Sequence, residues 1–90
     1  MGHVSVKMKI MPESPSVNLK DLEAGAGIII KKNSGINPHF MEEPIAFGLK
    51  AVIASFEYPE EKELETLEKE LGKIKNVKSV ELKDIRRAIG

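Results

Sequence analysis

Few residues in this 90-residue chain are of types and spacings that could do chemistry. His3 and His39 are its two imidazoles, and neither has a second histidine at ligand spacing, so both read as surface side chains rather than metal ligands. The absence of cysteine excludes disulfides, thiolate metal sites and a cysteine nucleophile. Carboxylates cluster at 42–43 and 60–70, where they read as a turn and a solvated helix face, not as an acid/base pair. Gly25-Ala26-Gly27 lacks the third glycine of a phosphate-cradling loop and does not follow a strand. Asn33 and Asn37 could face a phosphate ester, but no arginine-bearing loop after the first strand completes a hydrolase site. Neither a metal, a cofactor nor covalent chemistry of its own is expected.

Two features suited to contact remain. The stretch EPIAFGLKAV, Glu43 to Val52, reads as a charged, proline-marked turn running into a strand, with Phe47 and Gly48 near the junction. By parity Phe47 groups with Ile45, Leu49 and Ile53, which on pattern alone favours core packing. A turn holding the ring outward would make it a hydrophobic probe instead. At the end of the sequence given, Arg86 and Arg87 are either solvated charges or a cationic contact.

Composition narrows the function class. Fourteen basic and fourteen acidic residues cancel, whereas nucleic-acid binders carry a basic excess that displaces counterions. Four aromatic residues do not make a base-stacking platform, so direct nucleic-acid contact is not expected. No apolar run approaches the roughly 20 residues of a membrane span, no signal peptide is read, and Met1-Gly2 is followed by Val6 where myristoylation wants Ser or Thr. A cytoplasmic location is the expectation. Ninety residues support one domain, spanning 1–90, with a modest core.

The elements that must position these residues follow from periodicity. His3 to Ile10 alternates as a half-buried strand, and Pro12 and Pro15 end it. Ser16 or Asn18 can cap a helix carrying Leu19, Leu22, Ala26 and Ile29 on one face and ending before Asn33. Gly25 and Gly27 weaken that helix, and Ile28-Ile29-Ile30 also fits a strand. Ile36 to Glu42 reads as a short edge strand and Ile45 to Tyr58 as a central one. Pro59 opens a second helix, with Glu60, Glu61 and Glu63 in its first turn and Leu64, Leu67, Leu71 and Ile74 on its inner face. Asn76 to Ile85 supplies the last strand. The order β-α-β-β-α-β predicts an α+β, ferredoxin-like sandwich, a four-stranded antiparallel sheet with both helices on one face. On these patterns alone the chain is a small binding domain. A ligand-binding or oligomerisation module, self-pairing through Ile36 to Glu42, stays open.

Three motifs add a resemblance. MPESP after the first strand, EEPIAFGLKA at the third and VKSVELKDIRR at the end resemble the archaeal elongation factor 1-beta family, in order and over essentially the whole chain. The segment from Ala24 to Phe40 departs from it, being richer in glycine. The resemblance implies the same sandwich fold and guanine nucleotide exchange on elongation factor 1-alpha, the GTPase that delivers aminoacyl-tRNA. It implies that Phe47, in Ala46-Phe47-Gly48, matches the family's partner-contacting aromatic, with Ala46 in place of a first glycine. It also implies that Gly48 permits close approach, and that Arg87, with Arg86 able to share the role, stands where relatives place a lysine near Mg²⁺ and the phosphates. Together these contacts predict an aromatic group and a cation presented at one end of the sandwich, both entering one nucleotide cleft.

Overall fold

The computed structural model describes residues 2–87. Strand β1 (His3–Pro12) is followed by helix α1 (Leu19–Lys32), strands β2 (Ile36–Ala46) and β3 (Leu49–Pro59), helix α2 (Leu64–Gly72) and strand β4 (Val77–Arg87). The sheet order is β2-β3-β1-β4 and each neighbouring pair is antiparallel, the ferredoxin-like arrangement that the element order implied. Alternation builds the core. Val6, Met8 and Ile10 of β1 lie opposite Phe56, Ala54 and Val52 of β3, all buried. The helices cover that face with Leu22, Ala26 and Ile30 from α1 and Leu67 and Leu71 from α2. Ser5, Lys7 and Lys9 point to the other face, which no helix covers.

Helix α1 runs unbroken through Gly25 and Gly27, so the strand reading of Ile28-Ile29-Ile30 does not hold. Its start is fixed by Asn18, whose Oδ1 accepts from the backbone N–H of Lys20 at 3.0 Å and of Asp21 at 3.3 Å. Its end is fixed by Asn33, whose Nδ2 donates to the Ile29 carbonyl at 2.9 Å. Burial of Leu22, Ala26 and Ile30 outweighs the glycine penalty, since each apolar side chain contributes about 1.5–3 kcal/mol.

Four boundaries differ from those the sequence suggests. Strand β1 extends to Pro12, which sits buried opposite Val77 after a bulge. Strand β2 continues past Glu42 and Glu43 to Ala46, so those carboxylates lie in a strand and the turn falls four residues later, at Phe47 and Gly48. Pro38 and Pro44 are tolerated because β2 is an edge strand. Pro59 ends β3 rather than opening α2: it pairs with His3, and the next residue, Glu60, donates its N–H to the Gly2 carbonyl at 3.0 Å. Tertiary pairing there overrides the helix-start signal, and α2 begins only at Leu64. Strand β4 reaches Arg87, so both arginines are strand residues and not a free tail.

A Cβ added at Gly25 would meet the Ile74 side chain at 3.7 Å, an ordinary contact. Gly25→Ala is therefore expected to raise stability by about 0.5–1 kcal/mol through helix propensity and unfolded-state entropy, measured as a higher urea midpoint at unchanged slope. A lower midpoint would show that this packing interface has no room for a methyl group.

Candidate functional site

The hairpin joining β2 to β3 has a two-residue turn, Phe47-Gly48, closed by the pair Ala46 and Leu49. Phe47 has φ +54° and Gly48 φ +78°, the positive values at both central positions that a type I′ turn requires and that match strand twist. Glycine takes this conformation freely, whereas phenylalanine does so at a cost of about 1–2 kcal/mol. The Phe47 side chain is fully exposed, at 100%. Core packing is thus excluded for Phe47: it lies in the turn, and the residues it was grouped with, Leu49 and Ile53, face the open side of the sheet while Val52, Ala54 and Phe56 form the core.

The hairpin is braced from the helix side of the sheet. Lys50 Nζ lies 3.7 Å from Glu42 Oε1 across the ladder. A depression of about 330 Å³ opens between the hairpin and the β1–α1 connection, lined among others by Pro12, Pro15, Lys20, Gly48 and Lys50. The sequence motif MPESP thus sits beside the hairpin tip, which spacing along the chain alone did not reveal.

Arg86 and Arg87 stand elsewhere. Arg87 pairs with Val4 and Arg86 with Ser5, at the start of β1, whereas the hairpin lies beyond the pair Ile10 and Val52, at its end. Six residues of β1 and three of β3 intervene, which at roughly 3.3 Å per residue separates the two sites by about 30 Å. The molecule is 42 Å in its longest dimension, so these are opposite poles. The expectation that one end presents both groups to one cleft is therefore corrected. It failed because strand direction, not closeness to a chain terminus, decides which pole a residue occupies.

At the arginine pole each guanidinium already faces a carboxylate. Arg86 Nε donates to Asp84 Oδ2 at 2.9 Å, and Arg87 Nε lies 3.7 Å from Glu60 Oε2. Both pairs are exposed, and such pairs stabilise by at most about 1 kcal/mol, so a partner's carboxylate or phosphate could displace either. Nearby, the Tyr58 hydroxyl donates to the Glu63 carbonyl at 3.4 Å; burial pushes its phenol above the ordinary range, and the Glu70 charge adds to this. Among the described residues no group of three or more His, Asp or Glu side chains is placed to hold a metal ion, and no helix is long and apolar enough to cross a membrane.

The model of the EF-1 guanine nucleotide exchange domain matches residues 5–88. An elongation factor 1-beta of Methanosarcina barkeri is 38% identical over 88 residues, covering 97% of this chain and 99% of the relative. One from Methanobrevibacter smithii is 40% identical over 88 residues, covering 97% and 98%. One from Methanococcus aeolicus is 42% identical over 83 residues, covering 90% and 92%.

Exposure and backbone together generate a test of the hairpin. Phe47→Ala is expected to leave the melting temperature within about 2 °C of the parent, and Phe47→Gly to stabilise by about 1 kcal/mol by relieving the positive φ. A loss of more than about 2 kcal/mol in Phe47→Ala would mean that the ring is buried after all.

Proposed function

The chain belongs to the family of EF-1 guanine nucleotide exchange domains, and on that premise we propose that it accelerates GDP release from elongation factor 1-alpha by binding the nucleotide-free GTPase more tightly than the loaded one. A guanine nucleotide exchange role in translation elongation comes with membership; the manner of exchange is the proposal.

The observation that carries it is the Phe47 ring, held fully exposed at a backbone angle that disfavours it. In the isolated chain this position has no packing to offset its strain. Contact with a partner supplies the missing term, since burying such a ring is worth about 1.5–3 kcal/mol. Gly48 offers no side chain to hold a partner's backbone away.

Exchange requires differential binding and no bond breaking. A GTPase holds GDP through P-loop amides, a lysine and a bridging Mg²⁺. Only a contact made better in the empty state shifts that equilibrium, and the coupling is reciprocal: as far as this chain weakens GDP, GDP weakens this chain. If the energy of Phe47 is realised only in the empty complex, GDP affinity falls roughly 10- to 150-fold.

The two poles then take separate parts. Arg87, released from Glu60, carries a planar fork of donors suited to a carboxylate or phosphate. It competes for the partners of Mg²⁺, and Arg86 can do the same. Phe47 acts about 30 Å away, as an anchor on another part of the GTPase surface.

Stopped-flow release of a fluorescent GDP analogue from the cognate elongation factor 1-alpha tests this. Release is expected to accelerate with added chain and to slow about tenfold or more in Phe47→Ala and in Arg87→Ala, each with an unchanged melting curve. The double variant should show additive losses within about 0.5 kcal/mol, because sites this far apart do not couple. No acceleration by the parent chain sinks the proposal, and strong coupling between the two variants would return both groups to one cleft.

A further inference from the structure

The sheet face away from the helices divides into two halves of different chemistry. On the β1–β4 half, cations meet carboxylates directly across the ladder: Lys7 opposite Asp84, and Lys9 opposite Glu81. Arg86 adds its own bond to Asp84. That half is self-compensated. On the β2–β3 half the cross-strand pairs are His39 with Ser55, Met41 with Ile53, and Glu43 with Ala51. Its own formal charges are the carboxylates of Glu43 and Glu57; between the polar pair His39 and Ser55 and the carboxylate of Glu43 lies an apolar patch of Met41, Ile53 and Ala51, flanked on β1 by Lys9 opposite Ile53. Met11 of β1, half-buried, follows the pair Ile10 and Val52 towards the hairpin end of the sheet.

Exposure singles out the same hairpin. Seven large hydrophobic residues are exposed among the described residues, and four of them, Ile36, Met41, Ile45 and Phe47, lie on β2 and its turn. Met41 is 68% exposed at the middle of the strand. Exposed apolar groups scattered singly need no account, but four on one strand and its turn, with His39 and Glu43 between them, concentrate apolar exposure along this edge of the sheet. Pro38 and Pro44 remove ladder donors from the β2 edge, which disfavours strand addition and leaves contact through side chains. The lysines that flank it are paired with Asp84 and Glu81 and the chain has no basic excess, so a nucleic acid is the wrong partner. Methionine at its centre adapts to an irregular apolar partner surface.

Resting on the exchange reading above, we infer that the β2–β3 half of the open sheet face is a contact surface for the same GTPase, continuous with the Phe47 anchor. It fits an apolar protein surface bordered by a basic group, and not only a socket for one ring. The residue that decides it is Met41.

The test is calorimetric titration of nucleotide-free elongation factor 1-alpha with the full chain and with Met41→Lys, Met41→Leu and, on the compensated half, Lys9→Gln. Met41→Lys is expected to bind about tenfold more weakly with an unchanged melting temperature, and Met41→Leu and Lys9→Gln to stay within twofold of the parent. If the parent chain accelerates GDP release but Met41→Lys binds within twofold of it, this inference falls alone. If the parent chain neither binds nor accelerates release, the exchange reading falls and takes this inference with it. Sedimentation showing a dimer that Met41→Lys abolishes would assign the face to a second copy of the chain and overturn the inference.

Discussion

Strand β1 is paired on both sides, to β3 and to β4, and its register against them decides where everything else stands. Side chains alternate along it, so a slip of one residue would turn Val6, Met8 and Ile10 to solvent and Lys7 and Lys9 into the core. Losing three buried apolar side chains at about 1.5–3 kcal/mol each, and burying two ammonium groups, exceeds the net stability of a domain this small. The register is therefore held by burial rather than by turn chemistry. It places the hairpin tip beyond the end of β1 and the arginines beside its beginning.

That constraint explains why the fold was legible in the sequence while the site was legible only residue by residue. Alternation in β1 and the leucine stripe of α2 are period signals, and each survives small errors of boundary. The inner face of α1 was readable too, because Leu22 and Ala26 both bury as its spacing required. Distance between sites is not a periodic property. Whether Phe47 and Arg87 share a pole depends on strand direction and on which residues pair, and neither is written in local composition. The hairpin turn was hidden for a related reason. Two-residue turns announce themselves through Asn-Gly or Asp-Gly, and here a phenylalanine occupies the first position. The motif that resembled a family drew attention to the two residues that form the turn, whereas the parity that argued for core followed Leu49 and Ile53, which lie on the open face of the sheet.

The energetic division between the poles follows from the surface chemistry. The chain is formally neutral, and the cations on its open face and at the arginine pole face carboxylates of the same chain. Exposed pairs of this kind cost little to break and return little when exchanged for a partner's carboxylate. On the proposed mechanism the arginines place charge and compete with a metal ion more than they hold a complex together. Holding falls to apolar burial, which the hairpin offers in its ring and along the neighbouring strand. On that mechanism the separation has a consequence for salt dependence. If the cation that disturbs the nucleotide site also supplied the affinity, rising salt would weaken both at once, whereas an apolar anchor is not screened.

Strain at the turn fits the same logic. Phenylalanine at a positive φ is costly by about 1–2 kcal/mol, and glycine in its place would remove that cost together with the ring. A more stable hairpin was available to this fold, so the position is not tuned for stability alone. The backbone of the two-residue turn and the pair of Lys50 with Glu42 set the direction of the tip, while a depression separates it from the proline-bearing connection. The turn fixes the backbone from which the ring projects, and a pre-ordered backbone lowers the entropy lost on association. On the proposed function that gain offsets part of the strain when the partner binds. A position that is unfavourable alone and favourable in a complex is what separates a contact residue from a structural one.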